Sequence, residues 1–216
     1  MENFIRARNN EQKEFRINEI KTAADFVFGE NPYSEITLTT VAQKLGWSRA
    51  NLYKYFSTKE EIYLALTEDK MQKYFSSLNA AFPKNNKFSP QVIAEVWAGI
   101  LDANQDYLRY VSILTSIIEK NVSVERLADF KKKYYDLTSD FCKKLSEILK
   151  ISQDSAQKIF YDVLLFSSAS SSTCEKNPLV QSALNMIDVK PESFDFYENL
   201  KNFILMEINW HFRGKN

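Results

Sequence analysis

Between Pro90 and Pro178 the chain has no proline and a single glycine, Gly99. No other feature constrains the fold as much. Tight turns draw on Pro for its fixed φ and on Gly for positive φ. A stretch this long without them cannot be divided into short strands and hairpins, and reads as long helices joined by short loops. The whole chain extends the pattern. It holds 4 Gly and 5 Pro in 216 residues, where average usage would give roughly 26 of the two together. The fold class expected is all-α.

An apolar fraction of 44% suffices for a core, and 16 Phe with 11 Tyr exclude an intrinsically disordered chain. No run reaches the ~18 uninterrupted apolar residues of a membrane span. The segment Met1 to Ile20 is charged and lacks the apolar stretch of a secretory signal. The expected setting is therefore the cytoplasm, with Cys142 and Cys174 reduced and buried. A disulfide between them stays open as the alternative. The charges balance, 28 basic against 28 acidic, which taken alone argues against a nucleic-acid partner.

Helical periodicity begins with Ile17, Ile20, Ala24 and Val27 on one face, and breaks at Gly29 to Pro32. Leu38, Val41, Ala42 and Leu45 mark a short helix that stops at Gly46. A second short helix, about eight residues like the first, follows Ser48. Ser57 and Glu60 fit the S-x-x-E capping box that opens a helix running to about Phe82. Further helices are expected from Pro90 to Asp102, through Tyr107 to Ile118, and from Ser123 through Ile148. Another opens at Ser152 or Asp154, and the last covers Ser193 to Phe212. That makes about nine. The Ser-rich segment 167–173 reads as helix rather than linker, because it continues an apolar helix without Gly or Pro.

The informative stretch is Thr37 to Lys59. Two short helices joined at a glycine are the plan of a helix-turn-helix, and Gly46 can adopt the left-handed conformation of the turn. Between Glu35 and Glu60 there is no acidic residue, while Lys44, Arg49, Lys54 and Lys59 give a local charge of +4. A DNA duplex favours such a surface, because affinity rests on neutralised phosphates. The second helix offers Arg49, Ala50 and Asn51 outward. Arg49 and Lys54 suit guanine edges and Asn51 suits adenine. Thr37, Thr39, Ser48, Tyr53, Tyr55 and Lys59 suit phosphate oxygens, which fix register.

The segment from Thr37 to Ile62 resembles the DNA-binding motif of the TetR family (TetR/AcrR-like). The matching residues are Thr37, Ala42, Gly46, Ser48, Leu52, Tyr53, Tyr55, Phe56, Lys59, Glu60 and Glu61. Pro32 stands where the family usually has Gly, so the first helix must end differently, and Trp47 replaces a smaller residue in the turn. The resemblance implies a three-helix helix-turn-helix DNA-binding domain over 14–74 and a helical domain for effector binding and dimerisation over 75–216. It also implies a homodimer, a small-molecule effector and a palindromic operator under a ligand-responsive repressor.

The aromatics Trp97, Tyr107, Tyr110, Tyr134 and Phe166 are the candidates for an effector pocket, with plain core residues as the alternative reading. Phe160, Val163, Ser167, Ser170, Leu200, Ile204 and Ile208 are the candidates for a four-helix dimer interface. Arg6, Arg8, Lys13 and Arg16 read either as a basic arm or as a frayed terminus. His211 is the lone histidine, without neighbours for a metal site. There is no G-x-S-x-G, P-loop or H-E-x-x-H pattern, and no catalytic residue, metal or cofactor is expected. Two further functions remain open: an all-α enzyme or small-molecule carrier with an incidental helix-turn-helix, and a DNA-binding factor without an effector.

Overall fold

The computed structural model describes residues 2–83, 86–174, 178–190 and 194–213, with side chains from residue 10 onward except 172–174, 178 and 213. Among these residues are ten α-helices, two 3-10 turns and no strand. The helices are α1 (Glu2–Glu30), α2 (Leu38–Leu45), α3 (Arg49–Leu52), α4 (Lys59–Ala81), α5 (Pro90–Asp102), α6 (Gln105–Leu114), α7 (Val124–Leu149), α8 (Gln153–Cys174), α9 (Pro178–Met186) and α10 (Phe196–Arg213). The unexpected helix is α9. It is short and leaves Leu179, Val180 and Met186 exposed, although Val180, Ala183 and Leu184 fall at helical spacing. Pro178 at its first turn was the available signal. Ser193, expected to open the last helix, lies outside the described residues.

The chain forms two compact units, Met1–Asp69 with Leu114–Phe130, and Lys70–Ile113 with Lys131–Asn216. In the first, α1 packs along α2, and Ile20, Ala24, Val27 and Phe28 of α1 are buried, as are Val41 and Ala42 of α2. Phe28, Tyr33 and Tyr63 form an edge-to-face trio with centroids 5.1–5.9 Å apart. The Tyr63 hydroxyl donates to the Ala24 carbonyl at 3.0 Å, tying α4 to α1. Helix α1 stops at Glu30 because Asn31 caps it. Its backbone N–H and its side-chain Nδ2 both donate to the Val27 carbonyl, at 3.0 and 2.9 Å, and Pro32 follows in extended backbone.

In the second unit α10 lies against α5 and α8. Phe196, Leu200, Ile204 and Ile208 recur every fourth residue and are buried, which is the stripe an amphipathic helix turns to its core. Gly99 of α5 faces Tyr197 of α10: a Cβ there would stand 3.9 Å from Cε2 of Tyr197, an ordinary contact distance. Trp97 is fully buried, with Phe141 and Phe160 at 5.4 and 6.2 Å. Its indole Nε1 donates to the Tyr74 hydroxyl at 2.8 Å, so the polar atom of a buried Trp is satisfied. The Ser-rich segment is helical, as its lack of breakers requires. Ser167 Oγ donates to the Leu164 carbonyl at 3.0 Å. Cys142 is buried, and burial pushes its thiol up to about 12. The side chain of Cys174 lies outside the described residues.

Candidate nucleic-acid interface

Helix α2 is fixed at both ends by local chemistry. The Thr37 hydroxyl accepts from the Thr40 N–H at 3.1 Å, and the Thr40 hydroxyl accepts from the Thr37 N–H at 3.0 Å. This reciprocal pair satisfies two orphan donors with a Thr where Glu or Gln is more common. At the other end Gly46 sits at φ 68° and ψ 24°. The Gly46 N–H reaches the Gln43 carbonyl at 3.1 Å and the Trp47 N–H reaches Ala42 at 2.9 Å. That crossed pair closes the helix and requires a left-handed residue at the glycine position.

The Ser48 hydroxyl accepts from the Asn51 N–H at 3.2 Å and opens α3. Helix α3 is a single α-turn, Arg49–Leu52, continued by tighter turns in which the N–H groups of Lys54 and Tyr55 reach Asn51 and Leu52 at 3.3 and 3.0 Å. The α-helix is shorter than the expected eight residues, though Leu52 and Phe56 are both buried, and the next cap follows at once. That cap is Thr58 rather than Ser57. The Thr58 hydroxyl accepts from the Glu61 N–H at 3.1 Å, and Glu61 Oε2 accepts from the Ser57 N–H at 2.8 Å. Glu60, the expected partner, accepts instead from the Tyr33 hydroxyl at 3.1 Å.

Thr37, Thr39, Ser48, Arg49, Ala50, Tyr53 and Lys54 are exposed, and Asn51 and Tyr55 are half-buried. Arg49 Nη2 donates to the Tyr53 hydroxyl at 2.6 Å. Lys44 lies 3.4 Å above the ring of Phe26. Lys59, expected at phosphates, is turned inward. Its ammonium donates to the carbonyls of Tyr33 and Ile36 at 3.0 and 2.7 Å, and lies 4.2 Å from the Tyr33 ring centre. Desolvation lowers its pKa, opposed by the neighbouring Glu60 carboxylate. A positive side chain in the right stretch of sequence has here become the clamp that closes the α1–α2 connection onto α4.

Residues 20–66 match the family of bacterial regulatory proteins named for tetR, and residues 68–209 match the tetracyclin repressor-like C-terminal domain. The chain belongs to the TetR family. It is a DNA-binding transcriptional regulator of the helix-turn-helix class. Solved structures agree on the fold. The fatty acid degradation regulator FadR from Bacillus halodurans superposes with a TM-score of 0.57 at 15% identity, covering 89% of this chain and 94% of its own. A TetR/AcrR-family regulator from Thermobifida fusca gives 0.56 at 16%, covering 90% and 97%. A TetR-family regulator from Mesorhizobium loti gives 0.60 at 12%, covering 94% and 97%. No match is found among curated proteins.

The second unit redistributes the residues expected at the effector and dimer sites of a TetR-family protein. Trp97 and Tyr107 gather around Tyr74. The rings of Tyr74 and Tyr107 stack at 5.3 Å, and Tyr134 stands close enough to raise the pKa of both. Burial is the larger cause of the rise at Tyr74, Tyr107 and Tyr134 alike. Tyr110 is buried too, with the Lys70 ammonium 5.2 Å from its ring. Phe166 does not join them. It stacks on Phe203 of α10, centroids 4.0 Å apart and planes 5° from parallel.

The expected dimer residues need correction. Phe160, Val163, Ser167, Ser170, Leu200, Ile204 and Ile208 are all buried within their own chain. The helical period correctly found the apolar face, but that face turns inward. The exposed apolar residues of the same helices are Tyr161 and Leu165 on α8 and Met206 and Trp210 on α10.

The N-terminal segment, read as a basic arm or a frayed end, is part of α1. The side chains of Arg6 and Arg8 lie outside the described ones. Asn10, Glu11, Gln12, Lys13, Phe15 and Arg16 line a groove of about 790 Å³ with Lys54 and Tyr55. Arg16 pairs with Glu19 at 2.7 Å, and its guanidinium lies 5.3 Å from the Trp47 ring. Trp47 in turn is 6.1 Å from Tyr55. The large residue at the turn thus fills the space beside α1, a contact that local sequence did not reveal.

Proposed function

We propose that the chain is a ligand-responsive repressor that binds a palindromic operator as a homodimer in the cytoplasm. The observation that carries this reading is the acid-free segment from Thr37 to Lys54, which exposes Arg49, Ala50 and Lys54 and half-exposes Asn51 at the second helix. Arg49 and Lys54 read guanine edges and Asn51 reads adenine. Thr37, Thr39, Ser48, Tyr53 and Tyr55 hold phosphates, and the inward-facing Lys59 is left out of that set. Residues 14–74 form the DNA-binding domain and 75–216 the effector and dimerisation domain.

The dimer forms through the outer faces of α8 and α10, around Tyr161, Leu165, Met206 and Trp210. Two recognition helices then enter major grooves about 34 Å apart, or a multiple of it. A small molecule held among Trp97, Tyr107 and Tyr134 favours a different spacing and weakens DNA binding. It can do so only to the extent that it binds the two spacings with different affinity.

The test is Arg49→Ala with Lys54→Ala, assayed on the palindrome upstream of the protein's own gene. Each good base contact is worth about 1–3 kcal/mol, so the pair should lose roughly 30-fold or more. Unchanged affinity would remove the recognition helix from the reading. For the dimer, Trp210→Glu should give a monomer by light scattering at micromolar concentration without unfolding, since Trp210 is 71% exposed. A persisting dimer would exclude this face.

A further inference from the structure

Arg49 and Tyr53 are four residues apart, so they share one face of the turn that carries the recognition residues. They are also bonded to each other. Arg49 Nη2 donates to the Tyr53 hydroxyl at 2.6 Å, and the guanidinium carbon stands 5.2 Å from the ring centre, within the range of a cation–π contact. The Tyr53 N–H donates to the Arg49 carbonyl at 3.1 Å, so the backbone between the two is itself closed. Both side chains are exposed, Tyr53 at 45%. A pair this exposed adds little to stability. Its effect is on where the guanidinium points.

We propose that Arg49 and Tyr53 work as one specificity unit, in which Tyr53 is the positioning residue that holds the Arg49 guanidinium for a guanine edge while its own hydroxyl donates to a DNA phosphate. The inference rests on the DNA-binding reading above and deepens it. The bonding capacity allows it. Arg has five N–H donors and one is used here, leaving four for a bidentate contact to guanine O6 and N7. A tyrosine hydroxyl accepts and still has its own proton to donate. Hydrogen bonds in series strengthen each other, so phosphate, Tyr53 and Arg49 form a relay from backbone to base. Contacts of the first kind set register and contacts of the second kind set sequence, and here one side chain joins the two. A free arginine would have to freeze its rotamers on binding. One already tethered to Tyr53 has less freedom to lose.

The test uses the full chain and a duplex that the wild-type protein selects from a randomised pool, together with every single base-pair variant of it. Arg49→Ala, Tyr53→Phe and the double variant are compared. Tyr53→Phe keeps the ring and deletes only the hydroxyl. The expected result is that each single change weakens the selected duplex about 10-fold or more. Both should flatten discrimination at the same base pair, and the double variant should be within about threefold of the weaker single one. Losses that multiply in the double variant would overturn the proposal. So would a Tyr53→Phe protein that weakens all duplexes equally, since that is the signature of a phosphate contact alone. A wild-type protein that enriches no sequence would defeat the DNA-binding reading itself.

Discussion

The two units are specified in different ways. In the first, the helix-turn-helix segment is held by short-range hydrogen bonds from Thr37, Thr40, Ser48 and Thr58, and by one left-handed residue, Gly46. Each of these acts within a few residues of itself. The second unit is held by long amphipathic helices whose aromatic residues meet across the sequence: Trp97 of α5 joins Tyr74 of α4, Phe141 of α7 and Phe160 of α8. Local capping can be read residue by residue. Distant packing cannot, because a stripe of apolar residues states that a face is buried but not what buries it.

The largest effect that tests this contrast is expected at Trp97. Its side chain is 0% exposed and its indole N–H is bonded to Tyr74. Trp97→Ala should lower the unfolding free energy by about 3–5 kcal/mol, the usual range for a buried Trp truncated to Ala, read by urea denaturation. A loss below about 1 kcal/mol would mean that the aromatic cluster does not hold the second unit together.

The same contrast explains what the sequence disclosed. Gly46, Ser48 and the acid-free interval from Ile36 to Lys59 were legible because their meaning is local. The S-x-x-E spacing puts the cap at Ser57, one residue early, because Thr58 beside it carries the same cap chemistry and only the fold decides which hydroxyl meets the Glu61 N–H. Lys59 was legible as a cation but not as an inward one, since the carbonyls of Tyr33 and Ile36 that it reaches are more than 20 residues away. Ile204 and Trp210 lie on one helix and are both apolar, yet one is buried and the other exposed. Helical period alone marks the apolar face of α8 and α10 but not whether it packs within the chain or against a partner. The Arg49–Tyr53 bond falls between these cases. Its spacing was visible, but its geometry was not.

A smaller effect sharpens the local side of the comparison. Apart from the adjoining residues, no atom lies within 4 Å of a Cβ built on Gly46, while its φ is +68°. Substitution there is therefore a purely conformational change. Gly46→Ala should destabilise by about 1–2 kcal/mol, the strain of a left-handed residue bearing a Cβ, measured as a lower urea midpoint with an unchanged slope. A neutral result would show that the turn can close without the left-handed residue, and that the hydrogen bonds of Gly46 and Trp47 to α2 suffice.

The smallest effect should have the opposite sign. Gly99 lies in the interior of α5 and does not have positive φ. An added Cβ would meet Tyr197 Cε2 at 3.9 Å, an ordinary contact distance. Alanine there should remove backbone freedom from the unfolded chain at no steric cost, stabilising the protein by about 0.5–1 kcal/mol. For a chain of this size that corresponds to a rise of roughly 1–4 °C in Tm. The two glycines are chemically identical, and the difference in sign comes only from φ. If Gly99→Ala destabilised instead, α10 would need bare backbone on α5 to pack as closely as it does. The scarcity of glycine would then have left one where distant packing, rather than a turn, requires it.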